Sequence, residues 1–175
     1  MQLVLNATPL IYLSKSGYIQ VLKRIEIPMF IPQTVYRDIV VKGKEAGKPD
    51  AELLDQLTRS KILNVVGVKD RSFVSSLIVE SSKELKKPLH LGEAEVLALA
   101  KELSAVAIMD ESVGRTIGKI HGIPVHSTFY ILTLAYRKEK MTKMKIKQAL
   151  KEMIKVGWRL STEDYMKVLE ELEKL

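Results

Sequence analysis

The stretch from Leu91 to Glu111, LGEAEVLALAKELSAVAIMDE, constrains the fold more than any other part of the sequence. Its apolar residues first recur at helical spacing and then form the short run AVAIM, which is typical of a buried strand. Glu93 and Glu95 open the helix, and Asp110 and Glu111 follow the strand. In a parallel sheet the carboxyl ends of strands and the starts of neighbouring helices lie at one edge. The two acidic clusters can therefore meet, and they predict an acidic pocket that binds a metal ion.

The rest of the chain alternates in the same way between short apolar segments and longer amphipathic ones. Thr8, Pro9 and Gly17 supply the cap, the first-turn proline and the terminating glycine of a first helix. This alternation predicts an α/β fold, a three-layer α/β/α domain with a mostly parallel central sheet. The predicted strands are 2–5, 29–31, 62–66, 105–109 and a segment near Pro124, and the predicted helices are 7–17, 18–25, 33–43, 51–59, 70–86, 91–103, 112–120, 128–138, 143–156 and 162–175.

A single domain is predicted over residues 1–175, with an α/β core at about 1–138 and a C-terminal helical extension at about 139–175. The length of 175 residues fits one domain. Residues 42–50, KGKEAGKPD, have the composition of a loop, but neither side alone completes the alternation of strands and helices. The two C-terminal helices each carry an apolar stripe, which packs within the chain or forms a homodimer. The stripes consist of Ile146, Leu150, Met153 and Ile154 in one helix and of Tyr165, Val168, Leu169 and Leu172 in the other.

The net charge of +7 is concentrated in one segment. Between Arg137 and Arg159 there are nine basic residues and two acidic ones, so this segment accounts for the whole excess. A basic face of this kind indicates a polyanionic partner such as RNA, DNA or an acidic protein. The alternative is a solvated, lysine-rich helix surface.

Several classes of protein are excluded or disfavoured. The chain has no cysteine, which excludes disulfides, thiolate catalysis and cysteine-bound zinc. It contains neither a Walker loop nor a dinucleotide fingerprint, and His90, His121 and His126 lack the spacing of a zinc-binding helix. No apolar run reaches membrane-spanning length, and no basic segment precedes the first apolar residues, so we expect a cytoplasmic protein without a membrane partner. Two asparagines beside abundant Lys, Glu, Ile, Leu and Val suit a thermophile.

The remaining chemistry is that of a hard cation held by oxygen ligands. Mg²⁺ or Mn²⁺ bound by a few carboxylates is the usual arrangement for phosphodiester cleavage. Candidate acids at strand ends or early in helices are Asp38, Glu93, Glu95, Asp110 and Glu111. Residues two apart on a helix point about 200° apart, so Glu93 and Glu95 do not face the same ion, and Glu93 is preferred. Acids in a first helical turn also complement the helix dipole without binding a metal.

The sequence resembles the PIN-domain family, in particular its poorly characterised branch related to VapC toxins. The resemblance covers nearly the whole chain and rests on short motifs in the right order. These motifs are NATPLIYLSKSG, IPQTVYRDIV, LGEAEVLALA, AIMDESVGRTIGKIHGIPVHSTFYIL and the closing LKEMIKVGWRLSTEDYMKVLEEL.

The resemblance implies a metal-dependent ribonuclease with Mg²⁺ or Mn²⁺, and the toxin role of a toxin–antitoxin pair. RNA, an antitoxin protein and a second copy of the chain are the partners it implies. The catalytic and metal-binding residues would be Asp38, Glu93 and Asp110. Supporting residues would be Asn6, Thr8, Glu95, Glu111, Ser127 and Thr128, and Arg115, Lys119, Arg137, Lys138 and Lys140 would attract the RNA backbone.

One position departs from the family pattern. Asn6 stands where the family has its first metal-binding aspartate. An amide oxygen can still bind a metal, but the missing charge weakens Mg²⁺ binding and stabilisation of the attacking water. The alternative prediction is therefore a catalytically weakened or inactive PIN-fold module that binds nucleic acid or a protein partner.

Overall fold

Five parallel strands form the centre of the computed structural model, which describes residues 1–175. Their order across the sheet is β3-β2-β1-β4-β5. The first strand is therefore central, with β2 and β3 added on one side of it and β4 and β5 on the other. Each neighbouring pair is parallel. The strands are β1 (Leu3–Leu5), β2 (Met29–Pro32), β3 (Leu63–Val66), β4 (Val106–Ile108) and β5 (Val125–His126).

Eleven α-helices and one π-helical segment connect the strands and cover the sheet. Helices on both faces bury parallel strands, which is why β1 is apolar throughout and fully buried. The helices are α1 (Ala7–Lys15), α2 (Val21–Arg24), α3 (Gln33–Tyr36), α4 (Lys42–Glu45), α5 (Pro49–Arg59), α6 (Arg71–Leu85), α7 (Leu91–Glu102), α8 (Ser112–Ile120), α9 (Thr128–Arg137), α10 (Lys143–Lys155) and α11 (Thr162–Lys174), with the π-helical segment at Arg37–Val41. The predicted three-layer α/β/α fold with a parallel sheet is confirmed.

The C-terminal helices belong to the same hydrophobic core as the sheet. Trp158, between α10 and α11, is among the largest fully buried side chains, and Met153 and Leu172 are buried with it. The apolar stripes therefore pack mainly within the chain, as one of the two alternatives expected. Ile154 and Tyr165 are the exceptions, since both are exposed.

One local prediction was wrong, and a second gave the right element but too great a length. Residues 42–50 are not one loop, because α4 occupies Lys42–Glu45 and α5 begins at Pro49. The proline suits a first helical turn, and Asp50 and Glu52 in that turn favour the start of the helix. The predicted helix over 18–25 is shortened to Val21–Arg24, which is a single turn.

Helix α8 lies very close to β4 and β5 because two of its residues are glycines. A Cβ placed on Gly118 would lie 2.3 Å from Cγ2 of Val125 and 3.2 Å from the carbonyl oxygen of Ile123. A Cβ on Gly114 would collide with the side chain of Met109. The glycines thus set the distance between this helix and the sheet, and with it the position of the residues just before the helix.

None of the helices combines the length and the apolar character needed to cross a membrane.

Candidate functional site

The candidate site lies between β1 and β4, where the order of the strands across the sheet reverses. After β3 the chain returns to the other side of β1, so β1 and β4 are neighbours that belong to different halves of the sheet. Ligands of open parallel sheets bind outside the carboxyl ends of the strands at such a reversal. Asn6 follows β1 directly, and its backbone N–H donates to the carbonyl of Ile108 at 2.9 Å, which extends the ladder by one residue. Asp110 and Glu111 follow β4 at the same edge.

The side-chain carboxylate of Asp110 accepts three hydrogen bonds. Its Oδ1 accepts from the backbone N–H of Thr128 at 2.8 Å, and its Oδ2 accepts from Thr128 Oγ1 at 2.7 Å and from Trp158 Nε1 at 2.8 Å. Burial raises the pKa of Asp110, and the nearby Glu111 adds to that effect, while the three donors oppose it. The carboxylate thus joins the end of β4, the start of α9 and the segment between α10 and α11. One lone pair of Oδ1 is left for a further partner.

Glu111 is held by the segment that follows β1. Thr8 Oγ1 donates to its Oε1 at 2.7 Å, and Asn6 Nδ2 donates to its Oε2 at 3.3 Å. The predicted supporting residues Asn6, Thr8 and Glu111 are therefore brought together. Asn6, which is buried, directs its amide nitrogen at the carboxylate and so supplies a donor where an aspartate would add a second charge.

Glu93 and Glu95 have different surroundings, as their helical spacing predicted. Glu93 Oε2 accepts from the backbone N–H of His90 at 2.9 Å in a capping box. Burial raises the pKa of Glu93 and the charge of Glu111 raises it further, while the hydrogen bond from His90 and the charge of Lys87 oppose this effect. Glu95 is buried and ion-paired with Arg71. Glu93 therefore belongs with the acids at the strand ends, and Glu95 does not.

Asp38 forms no metal-binding group with the other acids. It is part of the π-helical segment, is exposed and forms an i,i+4 ion pair with Lys42 at 2.6 Å. The predicted set of Asp38, Glu93 and Asp110 is thus not assembled, and no three acidic or histidine side chains come close enough to bind one metal ion directly. The π-helical turn changes the register of the helix, which a regular 3.6-residue period does not anticipate.

A groove opens at the strand ends beside these carboxylates. Basic and aromatic side chains stand at its border, among them Lys15, Arg159 and Tyr12. None of the three carboxylates Glu93, Asp110 and Glu111 forms an ion pair with any of the basic residues. The groove is lined by Thr8, Ile11, Tyr12, Lys15, Asp110, Glu111 and Arg159.

These residues fit a hydrated divalent cation better than a fully protein-coordinated one. Mg²⁺ usually keeps several water ligands and is bound through one or two carboxylates. Asp110 and Glu111 line the same groove, and the charge of Glu111 helps to raise the pKa of Glu93, which lies outside the lining of that groove. Since Asp110 and Glu111 line one groove and the charge of Glu111 raises the pKa of Asp110, a bound cation would relieve the repulsion between these two carboxylates.

The residues predicted to attract RNA are spread over several surfaces. Arg115 is held in place, because its Nη1 donates to the carbonyl of Asp110 at 2.9 Å and its Nη2 to Asp164 Oδ2 at 2.5 Å. Lys119 is exposed near the end of α8, and Arg137, Lys138 and Lys140 are exposed at and after the end of α9. Arg115 therefore links the acidic site to α11.

Ser127 and Thr128 at the start of α9 differ in their contacts. Thr128 is buried and donates to Asp110, whereas Ser127 faces a second groove between β5, α9 and α11. The sequence analysis missed Trp158. The available signal was that the only tryptophan of the chain lies in the otherwise polar link GWRLS, where a large apolar residue has a packing or hydrogen-bonding reason.

Comparison with known families defines the class of protein that this fold and site represent. A family model described as a PIN domain matches residues 2–174. The chain belongs to the PIN-domain family, whose members are generally nucleases, and the resemblance seen in the sequence is confirmed.

Among solved structures, the chain is similar to PAE2754 from Pyrobaculum aerophilum. The sequence identity is 14%, the TM-score is 0.53, and the match covers 78% of this chain and 98% of that chain. At this identity the similarity supports the fold alone. A search of curated proteins found no match.

Proposed function

We propose that the protein is a metal-dependent ribonuclease that cleaves RNA phosphodiester bonds at the carboxyl ends of β1 and β4. The observation that supports this most is the pair of carboxylates Asp110 and Glu111, which line one groove at the carboxyl end of β4 and form no ion pair. Membership of a family whose members are generally nucleases adds to it. Asp38, one of the three predicted catalytic residues, has no part in this proposal because it forms no metal-binding group with the other acids.

Each residue of the site has a distinct role in this proposal. Glu111 and Asp110 would hold Mg²⁺ or Mn²⁺, and Glu93 would contact it through water. A bound divalent ion would lower the pKa of a water molecule and offset the charge that develops on the phosphate. Thr8 and Asn6 orient Glu111, and Thr128 orients Asp110.

The test is cleavage of a labelled single-stranded RNA with Mn²⁺ by the purified protein. Glu111→Gln keeps the shape of the side chain and removes its charge, so we expect the cleavage rate to fall at least about 100-fold. Glu170→Gln, at an exposed position on α11, is the matched control and should cleave like the native chain. Cleavage that survives both Glu111→Gln and Asp110→Asn would disprove the assignment, provided that thermal unfolding shows both variants folded.

Asn6 supports a second candidate, an inactive module that binds nucleic acid or a protein partner. Its amide donates to Glu111 and leaves the site with one charge fewer than the family pattern. This candidate predicts RNA binding without cleavage in the native chain. A gain of Mn²⁺-dependent cleavage in Asn6→Asp would identify a site that lacks only this charge.

The role of toxin in a toxin–antitoxin pair is a finer proposal. It predicts that expression of the chain arrests bacterial growth and that an antitoxin protein encoded beside it restores growth. Growth arrest that persists in Glu111→Gln would contradict a nuclease toxin. Exposed Ile154, Tyr165 and Met166 are candidate contacts of a homodimer, which sedimentation velocity would detect.

A further inference from the structure

The second groove, between β5, α9 and α11, is lined by other residues than the acidic groove. Its volume is about 650 Å³, and residues of β5, α8, α9 and α11 line it. Ligand sites of proteins usually have volumes of about 300–1,000 Å³, so the groove is large enough for one nucleotide. It is called the His126 groove below, after the exposed histidine of β5 that lines it.

A pair of aromatic rings stands in the His126 groove. The rings of His126 and Tyr130 are stacked, with centroids 4.1 Å apart and an angle of 11° between the ring planes. Tyr130 covers one face of the imidazole, and no third ring stacks on it. Partial burial lowers the pKa of His126 below its ordinary value of 6.5; the charge of Glu171 opposes this effect, and that of Arg137 adds to it. At neutral pH the imidazole is therefore an uncharged flat ring, on which nucleic-acid bases can stack.

Two basic side chains of the groove are available to a phosphate. Arg137 and Lys174 are exposed and form no ion pair. The other two basic side chains of the groove are already ion-paired. Arginine binds phosphate oxygens through two parallel hydrogen bonds, and lysine binds them as a point charge. Of the two acidic side chains in the lining, only Glu171 has no ion pair, and its carboxylate can accept a hydrogen bond from a ribose hydroxyl.

The His126 groove is built next to the acidic site. Its strand, β5, pairs with β4, the strand that Asp110 follows, and neighbouring strands lie about 4.8 Å apart. Arg115 lines the groove and donates to the backbone carbonyl of Asp110 at 2.9 Å. Ser127 also lines the groove, and the next residue, Thr128, donates to the Asp110 carboxylate. A ligand of the groove therefore binds to the elements that also hold Asp110.

We propose that the His126 groove binds a nucleotide, whose base stacks on His126 and whose phosphate contacts Arg137 and Lys174. The same chemistry serves a nucleotide within a single-stranded RNA and a free nucleotide such as AMP. The assignment to an RNA strand rests on the proposed function, whereas nucleotide binding itself does not.

Fluorescence anisotropy of a labelled single-stranded RNA, measured without divalent ions, tests the stacking contact. His126→Leu removes the flat ring and should weaken RNA binding about tenfold. His126→Phe is the matched variant, because it keeps a ring that can stack, and it should bind RNA within about twofold of the native chain. Thermal unfolding verifies that both variants are folded. Equal losses in the two variants would contradict stacking on His126 and overturn the proposal.

The double variant Arg137→Gln, Lys174→Gln tests the phosphate contacts. It should weaken RNA binding about tenfold at low salt and lower the slope of log affinity against log salt by about 1.4, at ~0.7 per contact. His126→Leu should leave this slope unchanged, because stacking releases no counterions. The control Lys48→Gln, Lys69→Gln removes the same charge from exposed positions elsewhere. Equal losses in the groove variant and the control would also overturn the proposal.

Competition with AMP identifies the source of the nucleotide. Displacement of the RNA by AMP, with calorimetric AMP binding that is lost in His126→Leu, would assign the groove to free nucleotides. RNA binding that depends on His126 and resists AMP would assign it to an RNA strand. Both results support a nucleotide site.

Three further results would overturn the nucleotide site. These are no binding of either RNA or AMP, unchanged binding of both in His126→Leu, or displacement of the RNA by polyglutamate as readily as by unlabelled RNA. Failure of the proposed function has a different signature, since nucleotide binding would then depend on His126 while Mn²⁺-dependent cleavage is absent.

Discussion

The side-chain amide of Asn6 donates from Nδ2 to Glu111 Oε2 at 3.3 Å. Replacing this NH₂ group by an oxygen, as in aspartate, would turn the attraction into repulsion. Asn6→Asp would place a second carboxylate against Glu111. Without divalent ions we expect the variant to be less stable by about 1–3 kcal/mol, because a buried hydrogen bond is lost and like charges meet.

Thermal unfolding with and without MnCl₂ measures this effect, and Mn²⁺ should stabilise Asn6→Asp more than the native chain. Asn64→Asp is the control, since Asn64 donates to the carbonyl of Met29 in the sheet and lies outside the site. An equal response of both variants to Mn²⁺ would contradict a cation site at Asn6.

Asp55, which lies outside the candidate site, makes the stability of the fold depend on pH. The hydrogen bond from Lys44 Nζ, at 2.5 Å, lowers the pKa of this buried carboxyl below its ordinary value of 3.8, and Arg59 and Tyr36 lower it further. Because the pKa is lower in the folded state, the stabilisation is fully present above about pH 4 and is lost as pH falls through the folded-state pKa.

Asp55→Asn should therefore cost about 2 kcal/mol at neutral pH and less in strong acid. The figure is below the ~3–5 kcal/mol of a fully buried pair, because Lys44 and Arg59 are solvent-exposed. Urea unfolding at several pH values checks this, with Glu170→Gln as the control. A difference that stays constant from pH 7 to pH 2 would show that ionisation of Asp55 is not its source.

At the scale of elements, the close approach of α8 to the sheet gives a packing prediction. Gly118→Ala adds a methyl group against Val125 and the carbonyl of Ile123, so we expect a loss of about 1–3 kcal/mol despite the better helix propensity of alanine. Gly92→Ala in α7 is the matched control, since its Cβ would be 3.6 Å from Val35 and in ordinary contact. Urea unfolding of both variants compares them, and equal stabilities would contradict the packing argument.

Most elements could be predicted because their causes are local. Buried apolar runs mark the strands, and Pro9, Gly17 and the capping residues mark helix ends. The π-helical segment could not be predicted, since it forms where α3 continues into α4 under the constraint of packing on α5. The π-helical register directs Asp38 toward Lys42 and solvent. A sequence motif can therefore identify the position of this acid in the chain without predicting which way its side chain points.

At the scale of the whole molecule, the C-terminal extension and the sheet should unfold together. Trp158 lies in the extension, is buried and donates to Asp110 at the end of β4. As the only tryptophan, it reports the extension by fluorescence, while far-ultraviolet circular dichroism reports all helices. The two thermal transitions should coincide. A fluorescence transition at a lower temperature would show that the extension is a separate unit.

The composition of the site could be predicted in part for a reason of topology. Asp110, Glu111, Asn6 and Thr8 follow two strands that sequence patterns identify, and parallel pairing brings strand ends to one edge. The partners that hold Asp110 could not be predicted, because a hydrogen bond to Trp158 spans 48 residues and depends on how α10 packs on α9.

The separation of these partners along the chain has a consequence for protein synthesis. Glu111 accepts hydrogen bonds from Asn6 and Thr8, which lie 105 and 103 positions earlier in the chain. Asp110 accepts one from Trp158, which lies 48 positions later. A chain still emerging from a ribosome can complete this arrangement only after Trp158 has left the exit tunnel. For the proposed nuclease, the ribosomal RNA beside a growing chain therefore meets no complete site before that point of synthesis.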